Sequence, residues 1–266
     1  MIIMRKKYLP KDIVLQKWKE RGYSGSQIAR RYNVSKHTVQ RAFKKAGISL
    51  QEKRDFPITK EFSDFINGLL LGDGHMGVSS LYRKSDLKPK GAKYAHCDKN
   101  GTYLLWLKKV LEAFGITSPP VRQIDTYCLE SFIVSGLLIF WKTWYPHGKK
   151  EIPSDIVFTP ITLFNLFLGD GCYAKGKYKR IFITKLDSCW KQVISDALHN
   201  LGINNTIHKR HIFILKNSHE RFFQYICEIP YFIPKAYYYK IPPEYIQYNR
   251  CWALIEKYKR SGNARP

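Results

Sequence analysis

Two stretches of this 266-residue chain repeat one pattern, an apolar helix that ends in Gly-Asp-Gly. They lie at residues 65–74 (FINGLLLGDG) and 164–171 (FNLFLGDG), and their aspartates are Asp73 and Asp170. A pattern that recurs at a domain-sized distance indicates a duplicated supersecondary unit. We therefore expect two similar halves, each opened by one of these helices.

The segments that follow each helix repeat as well. Basic, alternating stretches typical of β-strands flank an amphipathic helix that ends in Gly-Ile, at Gly115-Ile116 and Gly202-Ile203. A lysine then stands shortly before an Ile-Pro pair in each half, and these lysines are Lys150 and Lys240. The predicted strands lie within residues 91–97 and 121–135 in the first half, and 179–184 and 206–216 in the second.

One face of each apolar helix is small enough for close packing. Gly68 and Gly72 are four positions apart, and so are Asn165 and Gly169. Packed side by side, the helices would bring two carboxylates together at the negative ends of two helix dipoles, where they repel each other. A divalent cation removes this conflict, and Mg²⁺ suits a carboxylate pair that also meets phosphate oxygens and activates water for phosphodiester hydrolysis.

A single Asp-Gly after an apolar run would indicate only a turn at the end of a helix. Two copies, each with its own downstream lysine, favour a catalytic pair. Lys150 and Lys240 would then neutralise charge that develops on the phosphate or help to position the attacking water.

Positive charge is concentrated at the start of the chain. The net charge is +24, and residues 1–60 hold 16 Lys and Arg against 4 Asp and Glu. Acidic substrates and anionic membranes are compatible with this charge, but nucleic acid is the partner that it favours most. The asymmetry indicates a separate basic module at the N-terminal end.

Residues 11–47 are predicted to form three short helices. Ser24 and Gln27 have capping-box spacing at the second helix, Asn33-Val34 make a turn, and Ser35 caps the third. This pattern is typical of a helix-turn-helix, and the alternative is a small helical bundle with a solvated charged face. The outward residues of the third helix suit major-groove contacts and are Lys36, His37, Thr38, Gln40, Arg41 and Lys44.

The six cysteines are scattered without any C-x-x-C pair. Because the chain shows neither an export signal nor an apolar run of membrane-spanning length, we expect no membrane partner and a cytoplasmic (bacterial or archaeal) or organellar location. In a reducing compartment the cysteines would be buried or free thiols. Neither His96-Cys97 nor the pair His208 and His211 has the spacing of a zinc site.

Residues 66–74 (INGLLLGDG) and 163–171 (LFNLFLGDG) resemble the nine-residue motif of the LAGLIDADG homing endonucleases, in their single-chain form with two motif copies. The resemblance covers roughly residues 58–250 and implies an α+β fold of two pseudo-symmetric αββαββα halves with saddle-shaped antiparallel sheets. We expect a small all-α helix-turn-helix domain with its linker at residues 1–56, and the two halves at residues 57–155 and 156–266. The chain departs from the family pattern at Leu71, Leu168 and Asn165.

The resemblance also implies an activity, Mg²⁺-dependent cleavage of both strands of double-stranded DNA at a long site. A monomer would make the cut, leave 3′ overhangs and bind two or more cations at its site. The residues matched to the metal site are Asp73, Asp170, Gly72 and Gly169. Those matched to catalysis in addition are Lys150, Lys240 and His96, the last as a residue that positions water, with Thr184 or Lys185 as its second-half partner.

Two further functions use the same fold. An intron maturase binds its own intron RNA and assists splicing, and a regulator binds DNA without cutting it. The presence of both aspartates argues against the regulator. Basic residues of the predicted strands are candidate DNA contacts, although each alone fits a solvated surface residue as well. They are Arg83, Lys93, Arg122, Lys177, Lys179, Arg180, Lys209 and Arg210.

Overall fold

The computed structural model describes residues 15–16, 25–47, 58–78, 89–123, 125–176, 179–184, 188–246 and 248–249. Its contacts divide the chain into two units, Met1–Arg54 and Asp55–Pro266. Several predictions lie outside the described residues and stay predictions. They concern the capping box at Ser24, the linker at residues 51–57, and the site residues Arg83, Lys177 and Lys185.

Helices α1 (Gly25–Tyr32) and α2 (Lys36–Lys45) make up most of the described part of the first unit. Ser35 caps α2, because its Oγ accepts a hydrogen bond from the backbone N–H of Thr38 at 3.0 Å. Asn33, in the turn, has a φ of 48°, a left-handed conformation that asparagine adopts more readily than most residues. The helix positions and the cap agree with the local prediction, whereas DNA binding by this unit stays a prediction. Its small core consists of Leu15, Ile28, Ala29, Val39 and Phe43.

The second unit repeats the order αββαββα, as predicted. The first half consists of α3 (Lys60–Leu71), β1 (His75–Gly77), β2 (Lys93–Asp98), α4 (Gly101–Ala113), β3 (Arg122–Gln123), β4 (Tyr127–Glu130) and α5 (Leu137–Trp144). The second half consists of α6 (Pro160–Asp170), β5 (Gly171–Lys175), β6 (Lys179–Thr184), α7 (Ser188–Asn200), β7 (Asn205–Ile207), β8 (His211–Ile214) and α8 (His219–Cys227). The short helix α9 (Pro243–Ile246) follows.

Each half contains one antiparallel sheet of four strands. Their orders correspond, β1-β2-β4-β3 in the first half and β5-β6-β8-β7 in the second. The helices between the strand pairs end alike, because Gly115 and Gly202 adopt positive φ values of 85° and 70°. Glycine adopts this conformation without the strain that a side chain would bring, so the chain can leave each helix for the next strand.

The two motif helices, α3 and α6, pack against each other through their small residues. A Cβ atom added to Gly68 would lie 2.5 Å from the carbonyl oxygen of Thr162 and 2.8 Å from Cβ of Asn165. Nearer the helix ends, a Cβ atom on Gly169 would lie 3.3 Å from Cα of Gly72. The predicted close approach is therefore present, and the ends of the two helices adjoin.

Asn165, which departs from the usual small residue, is accommodated in this interface by hydrogen bonds. Its Nδ2 donates to the carbonyl of Ile161 at 2.9 Å and to the hydroxyl of Tyr231 at 3.1 Å. The Tyr231 ring lies 5.6 Å from Phe65 and 6.0 Å from Phe164, one residue on each motif helix. One hydrophobic core thus runs through both halves.

Among the described residues, no helix combines the length and the apolar character needed to cross a membrane.

The prediction that all cysteines are thiols is wrong for one pair, because Cys97 and Cys128 form a disulfide. They lie directly opposite each other on the adjacent strands β2 and β4, with Cα atoms 4.2 Å apart. Only the strand register brings them together, since they are 31 positions apart in the chain. Among the other cysteines of the described ranges, Cys172, Cys189 and Cys227 are free thiols, as predicted.

Candidate active site

A tight turn presents Asp73 at the end of the first motif helix. Helix α3 ends at Leu71, and the backbone N–H of Gly74 donates back to the carbonyl of Leu69 at 3.0 Å. A Cβ atom on Gly74 would lie 2.5 Å from that carbonyl oxygen and 2.8 Å from the hydroxyl of Tyr94. Only glycine fits there, and the turn that it permits leaves Asp73 exposed.

The second motif ends differently. Asp170 is the last residue of α6, and its side chain is 7% exposed. Strand β5 begins at the next residue, Gly171, where an added Cβ atom would lie 2.0 Å from the ring of Phe167. The carbonyl of Asp170 accepts a hydrogen bond from Oγ1 of Thr184 at 2.9 Å. The two aspartates therefore occupy equivalent places in the fold but have different surroundings.

Each predicted lysine caps the motif helix of its own half. Nζ of Lys150 donates to the carbonyls of Gly72 at 2.9 Å and Gly74 at 2.8 Å. Nζ of Lys240 donates to the carbonyls of Leu168 and Gly169, the latter at 3.2 Å. The last carbonyls of a helix have no partner within the helix and carry partial negative charge, so an ammonium group stabilises them.

Both lysines share the electrostatic environment of both aspartates. Burial lowers the pKa of Lys150 and of Lys240 to about 8, and the negative charges of Asp170 and Asp73 limit that decrease. The ring of Trp190 lies 5.6 Å from Nζ of Lys150. That of Tyr237 lies 4.9 Å from Nζ of Lys240. Because the charges of both aspartates act on each lysine, we treat the four side chains as one cluster and call it the catalytic cluster, after the role that the sequence predicts for it (Asp73, Asp170, Lys150 and Lys240).

The oxygen donors of this cluster fit a magnesium ion. Within the described ranges, no group of three or more His, Cys, Asp or Glu side chains is placed to hold a metal. Mg²⁺ does not require such a group, because it binds through one or two carboxylates and completes its shell with water and phosphate oxygens. The carbonyls of Gly72 and Gly169 accept from the lysines, and a carbonyl oxygen has a second lone pair for a cation.

A large part of the chain, including both copies of the motif, matches a known protein family. The model described as the LAGLIDADG DNA endonuclease family matches residues 63–229, more than half of the chain. The chain belongs to this family. The match includes both motif aspartates and Lys150, whereas Lys240 lies beyond its end.

Individual relatives are more distant. An uncharacterised protein of Methanocaldococcus jannaschii is 28% identical over 180 residues, which are 61% of this chain and 66% of that protein. Cytochrome b mRNA maturase bI2 of Debaryomyces hansenii is 27% identical over 128 residues, 43% of this chain and 47% of the maturase. The chain thus spans about two thirds of the first relative and about half of the second. The structure of I-DmoI in complex with DNA and Ca is 17% identical with a TM-score of 0.47, covering 74% of this chain and 97% of that one.

His96 is buried, which argues against its predicted role of positioning a catalytic water. It is 2% exposed, and its Nδ1 shares a hydrogen bond with the hydroxyl of Tyr94 at 2.9 Å. Its ring packs against Tyr103 of helix α4, 5.5 Å away. Burial lowers the pKa of His96 to about 4, so the ring is neutral at pH 7. The strand alternates, and His96 belongs to the side that faces the helices of this LAGLIDADG half.

Two polar residues near the catalytic cluster were not predicted. His75 follows the first motif directly, and its pKa is lowered, first by partial desolvation and then by the charges of Lys150 and Lys93. Asp98 ends strand β2, where its carboxylate accepts from the hydroxyl of Tyr237 at 2.6 Å and so joins the two halves. The sequence could have indicated His75, because it stands only two residues after Asp73. No sequence pattern indicates the contact between Asp98 and Tyr237, which are 139 positions apart.

The predicted DNA contacts differ in how they are paired. Lys93 and Arg122 both form ion pairs with Glu130, and Arg122 does so at 3.2 Å. Lys179 lies 3.5 Å from Glu244. The remaining described candidates of the second half are exposed, namely Arg180, Lys209 and Arg210. All six candidates on helix α2 of the other unit are exposed too, namely Lys36, His37, Thr38, Gln40, Arg41 and Lys44.

Proposed function

We propose that this chain is a metal-dependent DNA endonuclease that cuts both strands at a long recognition site. The catalytic cluster at the adjoining ends of two LAGLIDADG helices is the observation that supports this most. Membership of the family and the net charge of +24 support a polyanionic substrate and its hydrolysis. One carboxylate from each half suits a duplex whose two strands are related by a pseudo-twofold axis.

In this proposal Asp73 and Asp170 hold divalent cations, two or more at the site, with help from the carbonyls of Gly72 and Gly169. Bound Mg²⁺ supplies charge stabilisation at the phosphate and a more acidic water. The carboxylate of Asp73 is exposed, so a phosphate can approach it directly. Asp170 contributes from the end of α6, where its backbone is held by Thr184.

Lys150 and Lys240 act on the backbone that carries the carboxylates. Their ammonium groups hold the carbonyls on either side of Asp73 and just before Asp170. With a pKa of about 8, both lysines are protonated at pH 7 and add positive charge beneath the phosphates. We therefore assign them a positioning role toward the two aspartates, in addition to the neutralisation of charge on the phosphate that the sequence suggested.

The experiment uses a randomised duplex library, because it requires no known target. The full chain is incubated with the library in Mg²⁺ or in EDTA, and the cut ends are sequenced. We expect one family of related sites, cut in both strands with 3′ overhangs, in Mg²⁺ alone. The Asp73→Asn/Asp170→Asn double variant should cut nothing, while the exposed control Asp155→Asn should cut like the wild type. A folded, DNA-binding wild type that cuts no sequence would contradict the proposal.

A second candidate function is RNA binding in splicing, which the similarity to the Debaryomyces hansenii maturase favours. This activity does not need the two carboxylates. If the reading frame lies within an intron, and the Asp73→Asn/Asp170→Asn variant binds that intron RNA and promotes splicing, the chain is a maturase as well. Splicing that is unaffected by the protein removes this candidate.

A further inference from the structure

The exposed faces of the two sheets have corresponding positions, which the strand registers define. Ala95 pairs with Glu130 in the first sheet, and Phe182 pairs with Phe213 at the same place in the second. The ion pairs of Lys93 and Arg122 with Glu130 give the first face a charged centre. In the second sheet, a phenylalanine occupies the position of that glutamate.

Phe182 and Phe213 belong to a row of side chains that crosses all four strands of the second sheet. Cys172 on β5 pairs with Phe182 on β6, Phe182 with Phe213 on β8, and Phe213 with Thr206 on β7. Their neighbours along the strands, Ile181 and Ile183, are fully buried on the other side. We call Cys172, Phe182, Phe213 and Thr206 the apolar row. Cys172, Phe182 and Phe213 are partly exposed and Thr206 is exposed, on the face away from the helices.

The rings around the apolar row are packed against one another. His211 lies 5.4 Å from Phe182 and stacks on His208 at 5.0 Å, and His208 meets Phe213 edge to face at 6.2 Å. The buried Lys191 holds this hairpin from below, because its Nζ donates to the carbonyls of His208 and Lys209 at 3.2 and 2.7 Å. These ring contacts hold Phe182 and Phe213 in place beside the two imidazoles.

Exposed cations surround this surface. Arg180 lies two residues before Phe182 on the same side of strand β6, and Lys209 and Arg210 form the turn before His211. An apolar centre bordered by positive charge matches the major groove, where phosphates flank the base edges. The apolar feature of that groove is the C5-methyl group of thymine, which side chains such as phenylalanine contact.

We propose that the apolar row reads thymine methyl groups in one half of the DNA site, while the charged first face reads polar base edges in the other half. This inference rests on the proposed function, because it requires that the two sheets lie along duplex DNA. Phe213 and Phe182 are then the specificity-determining residues of the second half. Recognition in the two halves differs in chemistry although the fold is duplicated.

The test replaces single thymines by uracil, which removes the C5-methyl group and leaves base pairing intact. The full chain binds the duplex that the library experiment selects, in EDTA so that no cleavage occurs, and each thymine is replaced in turn. Uracil should weaken binding about fourfold per contacted methyl, at thymines clustered in one half of the site. Phe213→Ser should abolish this sensitivity at the thymines that Phe213 contacts and leave those read by Phe182, and Phe213→Leu, which keeps an apolar side chain, should preserve it at both.

The outcomes separate this inference from the proposed function. If the protein selects and cuts a duplex but uracil has no effect in either half, the reading of methyl groups is wrong and the endonuclease stands. If no duplex is bound, the proposed function fails first. Competition by single-stranded nucleic acid that depends on Phe213 would also overturn the inference, because it would assign the rings to unpaired bases. Equal melting temperatures of Phe213→Ser and Phe213→Leu exclude unfolding as the cause.

Discussion

The two halves carry the same Gly-Asp-Gly tripeptide, yet one aspartate is exposed and the other is buried. Helix α3 ends before Asp73, and β1 begins only at His75, so a turn separates helix from strand. Helix α6 includes Asp170 and passes directly into β5. The packing around each tripeptide, and not its local sequence, sets the depth of the carboxylate.

The lysines follow the same asymmetry. Lys240 lies in the half with the buried aspartate and is itself buried. Its Nζ donates to the carbonyls of Leu168 and Gly169 at the end of α6. Lys150 is less buried and holds the turn on both sides of Asp73. A buried carboxylate needs compensating partners, and the deeper lysine supplies positive charge there. A duplicated fold can thus hold two aspartate–lysine pairs in unequal surroundings.

The largest expected difference between the two sheets is in stability, because the first sheet contains the Cys97–Cys128 disulfide. Cys97→Ser/Cys128→Ser should lower the free energy of unfolding by about 3 kcal/mol under oxidising conditions. The disulfide closes a loop between residues 97 and 128 of the first half, and without it the unfolded chain gains conformational entropy. Chemical denaturation measures this, with Cys172→Ser as a control that should change little. If reductant destabilises the wild type no more than it does the double variant, the disulfide does not form in solution.

The lysines should separate catalysis from binding. Lys240→Met should reduce the single-turnover cleavage rate about 100-fold through misplacement of Asp170, with a smaller reduction for Lys150→Met. Affinity for the duplex should change no more than in Lys149→Met, an exposed neighbour with the same loss of charge. A collapse of affinity at an unchanged rate would make both lysines phosphate anchors.

The helix interface should be sensitive at one glycine and tolerant at another. Gly68→Ala should cost about 2 kcal/mol of stability, because its Cβ would meet the backbone of α6 at 2.5 Å. Gly72→Ala should cost less than about 1 kcal/mol, because its nearest new contact would be at 3.5 Å. Thermal or denaturant unfolding distinguishes them, and equal losses would refute the close approach at Gly68.

The N-terminal unit should contribute least. Removing residues 1–56 deletes no member of the catalytic cluster, so the core should still cut, with affinity reduced roughly tenfold and a shallower salt dependence. Footprinting should show protection lost at one end of the site only. If footprint and salt slope stay unchanged, this unit does not touch DNA.

The parts of the fold that were predictable from the sequence are those with local or repeated signals. The duplicated motif identified Asp73 and Asp170, and the repeated Ile-Pro pairs identified Lys150 and Lys240. Capping chemistry likewise located Ser35 at the start of α2. In each case a short stretch of chain carries the whole signal, and the second copy supports the first.

The remaining features depend on the strand register and on depth, which short stretches do not encode. His96 and Cys97 are adjacent, and nothing local determines which of them faces the helices. The Cys97–Cys128 pair and the Asp98–Tyr237 contact join distant segments. The lysines were found by their spacing, but their contacts with carbonyls rather than with phosphate follow from burial against the helix ends.

In the proposed mechanism, one carboxylate from each half is required for cutting both strands. The most direct test incubates Asp73→Asn and Asp170→Asn separately with a supercoiled plasmid carrying the selected site, in Mg²⁺, and measures nicked and linear products. Each variant should be folded, should bind the site, and should form no linear plasmid, leaving nicked circles at most. Linear product from Asp170→Asn at a rate near that of the wild type would contradict the two-carboxylate account.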